Sequence, residues 1–154
     1  MKIIFLDIDG VLNHADFLYD RADRAEAGEH LHPDGAIDPE CVEHLNAIIE
    51  ATGAKVVVSS TWRLFRSCEK LQWCLDQKGF SGEVIGKTTS EDMETRGLQI
   101  DQWVRGHEVG SFVILDDDLD VYPHADRHVK TDFMHGGLQG EHAERAIEML
   151  GGGE

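Results

Sequence analysis

The hydrophobic positions of this chain fall into short solid runs separated by longer periodic stretches. Ile3-Ile4-Phe5-Leu6, Lys55-Val56-Val57-Val58 and Phe112-Val113-Ile114-Leu115 are, or end in, continuous apolar runs. Such runs predict strands covered on both faces, because a half-exposed strand would alternate. Glu83-Val84-Ile85 is a weaker strand candidate, and His128-Val129-Lys130 a fifth, at the edge. Elsewhere the period lengthens to that of a helix. Residues 39–52 put Val42, Leu45, Ile48 and Ile49 on one face, with Asp38 as N-cap, Pro39 in the first turn and Gly53 as the stop. Residues 67–78 do the same with Leu71, Cys74 and Leu75, residues 95–105 with Ile100, Trp103 and Val104, and residues 139–150 with Ala143, Ala146, Ile147 and Leu150. The stretch 86–94 is polar and predicts a loop.

Strands alternating with helices at this spacing predict an α/β fold. It is expected to be a Rossmann-like three-layer sandwich, with a central parallel sheet of about five strands and helices on both faces. Residues 1–150 are then a single domain, and the glycines of residues 151–154 a flexible tail. Residues 14–37 have little apolar period and read as a loop or flap inserted over the functional site.

Charge narrows the partners. Fourteen Lys and Arg against 30 Asp and Glu give a net charge of −16. That repels polyanions over most of the surface and counts against extended duplexes and membranes. Cys41, Cys68 and Cys74 are odd in number and lack metal-ligand spacing, so reduced thiols in a cytoplasmic protein are expected. No stretch approaches the roughly 18 apolar residues of a membrane span, and the first apolar run is too short for a secretory leader.

Three of the strands stop at polar clusters: Asp7-Ile8-Asp9-Gly10, Ser59-Ser60-Thr61-Trp62-Arg63 and Asp116-Asp117-Asp118. Ligands of open parallel sheets bind beyond the carboxyl ends of the strands, so the clusters are expected at one rim. A carboxylate there loses solvation unless a cation or hydrogen-bond donors replace the water. Two acids spaced by one residue therefore suggest a metal and a phosphate. Taken alone, the first cluster also reads as an ordinary acidic turn.

Asp7-Ile8-Asp9-Gly10-Val11-Leu12 resembles the first signature motif of the haloacid dehalogenase superfamily, whose phosphatases carry Asp-x-Asp-Gly after their first strand. Ser59, at the end of an apolar strand, is similar to the second motif, with Ser60 as the alternative in register. Arg96 matches the basic third motif, with Lys87 as competitor, and Asp116 with Asp117 the paired acids of the fourth. The four stand in the superfamily's order and span most of the chain. More narrowly, Ser59 to Arg63, Arg96-Gly97-Leu98-Gln99-Ile100 and Val129-Lys130-Thr131-Asp132 resemble the domain of this superfamily found in multi-enzyme RNA repair proteins.

That resemblance implies a Mg²⁺-dependent phosphomonoester hydrolase working through an aspartyl phosphate. Asp7 would be the nucleophile, and Asp9 the acid that protonates the leaving oxygen and then activates water. Mg²⁺ would be held by Asp7, the Asp9 carbonyl and Asp116, with Asp117 bound directly or through water. A carboxylate meeting a phosphate is repelled by roughly 4 kcal/mol per charge pair near 4 Å at an effective dielectric of 20, which is why a cation is needed. Ser59 would bond the phosphoryl oxygens while Arg96 or Lys87 supplies a fixed charge. Gly10, Ser60, Arg63 and Lys87 are the further substrate-binding candidates, and Arg66 follows the same strand end. Asp118 and Asp120 read as solvated turn residues, Trp62 as packing, and the pairs His30/His32 and His124/His128 as surface histidines.

Superfamily members often carry a cap domain, but residues 14–37 are too few for one, and a single helix fills the gap between the second and third strands. No separate cap domain is expected, which leaves an open site suited to a polymer end. Arg63, Arg66, Lys70, Lys87, Arg96 and Lys130 lie in segments near the expected rim. The expected substrate is a phosphorylated small molecule, a nucleotide or the terminal phosphate of a nucleic acid, as in RNA end-healing. A phosphatase of a small metabolite is one alternative. A phosphoacceptor or Mg²⁺-binding module without turnover is another, although such a module needs no acid two residues after its acceptor. Dehalogenation, a third, has no phosphoryl charge to call for this arrangement. Oligomeric state and capping by a partner chain are left open.

Overall fold

A computed structural model describes residues 1–89 and 95–151. In chain order its elements are β1 (Lys2–Leu6), α1 (Ala15–Glu26), α2 (Pro39–Thr52), β2 (Lys55–Val58), α3 (Cys68–Asp76), β3 (Val84–Lys87), α4 (Arg96–Gly106), β4 (Ser111–Asp116), β5 (His128–Lys130) and α5 (Gly140–Leu150). The strands form one parallel sheet in the order β3-β2-β1-β4-β5. This is the α/β Rossmann-like architecture that the apolar runs predict, and the described residues contain no separate cap domain.

The solid runs are solid because both faces of the sheet are covered. Ile4, Leu6, Val56, Val58, Val113 and Leu115 point to one side, where they pack with the apolar faces of α2, α3 and α5. Ile3, Phe5, Val57 and Ile114 point to the other, against Ile100 and Trp103 of α4. Phe5 sits edge-on to Trp103 and Phe112, with ring centres 5.7 and 5.6 Å away. Four residues of β1 are fully buried, so the central strand alone supplies several kcal/mol of apolar burial.

The caps follow the sequence. Asp38 Oδ1 accepts from the Glu40 amide at the start of α2, and Ser67 Oγ from the Lys70 amide at the start of α3. Departures occur where apolar pattern is not what builds the element. The stretch 14–37, expected as a loop, carries α1 and a single 3₁₀ turn at Pro33–Gly35. Only Ala15 of α1 is buried, so no apolar stripe announces the helix. It is held instead by Arg21, which donates to the carbonyls of Gly35 (3.0 Å) and His32 (2.9 Å). The third strand runs on through Gly86 and Lys87, where a loop was expected, because both pair with β2. The remainder of that loop, residues 90–94, and the tail at 152–154 lie outside the described residues. His128, expected at the surface, is buried with Nε2 2.9 Å from the Asp116 carbonyl oxygen. The three cysteines are free thiols. No described helix is long and apolar enough to cross a membrane.

Candidate active site

The parallel ladder continues one residue past the strand ends, and this fixes the site. The Asp7 amide donates to the Leu115 carbonyl at 3.0 Å, Ser59 to Leu6 at 2.9 Å and Thr131 to Asp116 at 3.1 Å. Asp7, Ser59 and Asp116 are therefore set in neighbouring rows at one rim. Carboxylate oxygens of Asp7, Asp116 and Asp117 lie within 4.8 Å of one another. Asp7 is 4% exposed and Asp116 fully buried.

One cation faces the three acids. Arg96 Nη1 is 2.6 Å from Asp116 Oδ2 and 3.4 Å from Asp7 Oδ2. Arg96 opens α4, where Thr95 Oγ1 caps the Leu98 amide and Gly97 packs directly on the backbone of Val121 and Tyr122. Any Cβ at position 97 would strike that backbone, so the glycine lets the helix start approach the acids. Burial opposes the charge on Arg96, but Asp7 and Asp116 outweigh it and raise its pKa. The compensation of the acids is still incomplete. Burial first, and then the charge of Asp116, push Asp7 up to about 8 despite Arg96 and the Ile8 amide. Burial and Asp116 raise Asp117 as well.

Lys87, the competitor, is engaged elsewhere: its Nζ donates to the carbonyls of Arg63 (3.1 Å) and Arg66 (3.0 Å). Arg63 is turned mostly inward, while also lining a cavity beside Arg96. It is 5% exposed and donates from Nε to the Thr88 carbonyl, from Nη1 to the carbonyls of Ser60 and Ser59, and from Nη2 to Gln99 Oε1. At Arg63, expected as a substrate contact, the structure shows a brace for the loop after β2 in the wall of that cavity. Arg66 and Lys70 both pair with Asp34, at 2.8 and 3.2 Å. Four of the six basic residues read as a rim group are consequently held by partners other than the three acids.

The two serines separate in the same way. Ser60 Oγ accepts from the Trp62 amide at 3.2 Å and caps the 3₁₀ turn Thr61–Leu64. Ser59 Oγ is buried with no hydrogen-bond partner among the described residues. A buried hydroxyl left unpaired costs about 1–3 kcal/mol, so it reads as a donor held for a ligand. Gly10 turns the chain after β1 with φ of +86°, and Asp117 packs so closely on it that a Cβ would overlap that side chain. Its carbonyl accepts from Thr131 Oγ1 at 2.7 Å and its amide donates to Asn13 Oδ1 at 3.0 Å.

Asp9 stands apart from these three acids and is exposed. Its Oδ1 accepts from Asn13 Nδ2 at 2.9 Å and from Trp62 Nε1 at 3.2 Å. Neither donor was singled out in the sequence as a site residue, and Trp62, read as packing alone, is corrected to a hydrogen-bonding partner of the acid. The signal available was its place in the strand-end cluster Ser59 to Arg63; Asn13 offered none. Two carboxylates two residues apart thus occupy opposite environments, one buried among acids and one open and held by neutral donors. Such a split of environments lets paired carboxylates take different parts in one reaction.

The donor set fits a hard divalent cation. Asp7, Asp116 and Asp117 are all oxygen donors, with no sulfur or imidazole among them. Three carboxylates against one guanidinium leave a charge of −2 when all are ionised, which a divalent ion neutralises. A cavity of about 220 Å³ lined by Thr61, Arg63, Leu64, Arg96, Gln99, Asp118 and Asp120 lies beside Arg96. Asp118 and Asp120 are exposed, as expected of turn residues. A larger cavity of about 580 Å³ opens at the opposite, amino-terminal end of the central strands, between Met1, Lys55, Gly110 and Leu150, and holds none of these groups.

A family described as the HAD domain in Swiss Army Knife RNA repair proteins matches residues 3–143. No curated protein and no solved structure matches the chain.

Proposed function

Because the chain belongs to the family of HAD domains of Swiss Army Knife RNA repair proteins, we propose that it is a Mg²⁺-dependent phosphomonoesterase acting on a nucleotide or a nucleic-acid terminal phosphate. The observation that carries the reading is the trio of buried Asp7 and Asp116 with half-buried Asp117 around Arg96, with an exposed, hydrogen-bonded Asp9 two residues from Asp7.

In this reading an Asp7 carboxylate oxygen attacks phosphorus, and the bond to the leaving oxygen breaks as Asp9 gives that oxygen its proton. Asp9 then takes a proton from water. The hydroxide attacks phosphorus and frees phosphate, so Asp7 returns as a carboxylate. Asn13 and Trp62 keep the Asp9 carboxylate in one place through both steps. Ser59 Oγ and Arg96 bond the phosphoryl oxygens, which carry more charge in the transition state than in the ester. Mg²⁺, when held by Asp7, Asp116, Asp117 and the Asp9 carbonyl, supplies the charge that lets a carboxylate approach a phosphate.

The basic residues do not support recognition of a long backbone, since four of six are held by carbonyls, Gln99 or Asp34 and Arg96 sits at the acids. Exposed apolar side chains support recognition of a base instead. Leu64 and Phe65 follow the loop after β2, and Leu119 and Tyr122 the loop after β4; they are 52, 87, 72 and 77% exposed. Stacking on Phe65 and Tyr122, with apolar contact from Leu64 and Leu119, is tolerant of sequence and independent of salt to a degree that phosphate contacts are not. A metabolite without a base would leave these groups unused.

The test is phosphate release from an aryl phosphate, mononucleotides, sugar phosphates and oligonucleotides ending in 3′- or 5′-phosphate. D7N should abolish release from every ester while leaving the fold intact. Retained turnover would remove the nucleophile assignment, and an aspartyl phosphate stable for hours would favour a signalling module. For oligonucleotides, log(kcat/KM) should fall with log[salt] by a slope of about 1–2 at most. A steeper slope would mean that the backbone is bound.

A further inference from the structure

Away from the acids, a second group of ligating atoms lies at the base of the segment between β1 and α2. Atoms of His14, Asp38 and Cys41 lie within 4.8 Å of one another. His14 Nε2 is 2.7 Å from Asp38 Oδ2. We propose that these three side chains form a metal site, for a zinc-class divalent cation, that fastens the two ends of the segment 14–38 together.

The donors point to that class. One nitrogen, one carboxylate oxygen and one sulfur are a borderline-soft set, which suits Zn²⁺ and not the Mg²⁺ of the all-oxygen trio. Asp38 and Cys41 are three residues apart at the start of α2 and so share a face. His44, three further on, lines the same cavity of about 210 Å³, as do Glu40, Leu138 and Gln139. A fourth ligand and room for a cation are therefore at hand.

An ion pair alone does not account for the group. The second ring nitrogen, His14 Nδ1, is buried with no partner among the described residues. The Cys41 thiol donates to the Gly136 carbonyl at the long distance of 3.6 Å, with the Leu138 backbone beside its sulfur.

The place in the fold gives the site its role. His14 is the residue before α1, and Asp38 caps α2. Just inside them, the Asp38 amide donates to the Leu12 carbonyl at 2.6 Å and Asn13 Nδ2 to the Ala36 carbonyl at 2.9 Å. Asn13 is the side chain that also holds Asp9 and Gly10. A metal here clamps the neck of the segment next to the acid/base support, without touching the reacting atoms.

The experiment is a Co²⁺ titration of the purified full chain in saturating Mg²⁺, followed by near-ultraviolet absorption. One equivalent should give a thiolate-to-cobalt charge-transfer band, with proton release, and Zn²⁺ should bleach it. C41S should lose the band, and D38N, which keeps an N-cap on α2, should bind Co²⁺ at least tenfold more weakly. D7N should keep the band. Absence of the band from the unsubstituted protein, its survival in C41S through Cys68 or Cys74, or its loss in D7N with full retention in D38N would each overturn the site. None of these outcomes bears on the phosphatase reading, which D7N turnover tests separately.

Discussion

Asp9 shows how a side chain at the surface is given one position. It gains nothing from burial, and its place comes from Asn13, four residues on, and Trp62, 53 residues on. Trp62 to Phe should keep the ring packing and the stack under Arg66, whose guanidinium lies 4.2 Å from the indole centre, yet remove the N–H. The expected outcome in steady-state kinetics on an aryl phosphate is a fall in kcat of about tenfold at nearly constant KM, since general acid catalysis contributes about 10²–10⁴ and one of two supports is lost. A change in KM alone would place Trp62 at the substrate instead. Arg63 is the opposite case, a charge buried for structure. Arg63 to Lys cannot reproduce bonds to three carbonyls and Gln99, so it should cost about 2–3 kcal/mol, seen as a lower urea midpoint at unchanged slope. Asp7, Asp9, Ser59 and Asp116 were legible in the sequence because each ends or follows an apolar run that dictates a strand. Trp62, Asn13 and the inward turn of Arg63 were not, because nothing local distinguishes an indole that bonds a distant acid from one that only packs.

Elements built on apolar period could be read directly, and those built on hydrogen bonds could not. The helix α2 has its stripe, its cap and its stop in plain order, whereas α1 is nearly all exposed and depends on Arg21 reaching two carbonyls in the following turn. The strand β3 was read short because Gly86 and Lys87 carry no strand signal of their own and are recruited by pairing with β2. The last helix, α5, has both an apolar face and a polar start that titrates. His142 Nδ1 accepts from the Gln139 amide at 2.9 Å, and the Gln139 side chain answers as the other half of a capping box. Burial holds His142 below the ordinary histidine value, with Glu141 opposing. For a histidine lowered in the fold, the contribution is present above the unfolded value of about 6.5 and is lost as pH falls below it. Protonation also takes away the acceptor of the cap. In a D7N background, which removes the opposing Asp7 proton, thermal melts should therefore show a loss of stability on going from pH 7.5 to 5.5 that is absent once H142Q is added, since its amide still accepts at this position. An H142Q variant with the same acid loss would exclude the cap as its source.

At the scale of the whole molecule, a charge of −16 meets a site that is itself short of positive charge. Arg96 is held between Asp116 and Asp7, and still Asp7 is raised to about 8 by burial and by Asp116. The sign follows from that shift. A carboxyl raised in the fold keeps its proton where the unfolded chain has lost it, so its contribution is full below about 4 and is lost as pH rises through about 8. The metal-free protein should then melt at lower temperature at pH 8 than at pH 6, once the opposing His142 contribution is removed by working in H142Q. A cation that binds the ionised acids reverses this trend, since protons compete with it less at pH 8. At a hundred times its dissociation constant, Mg²⁺ adds about 2.7 kcal/mol, which for a chain of this size is a rise of roughly 5–10 °C. The rise should be larger at pH 8 than at pH 6 and much reduced in D116N. D7N should flatten the metal-free dependence on pH, since an amide has no proton to lose there. An equal response to Mg²⁺ at both pH values, or a full one in D116N, would put the cation somewhere other than among these acids, and with it the charge that the phosphotransfer reading requires.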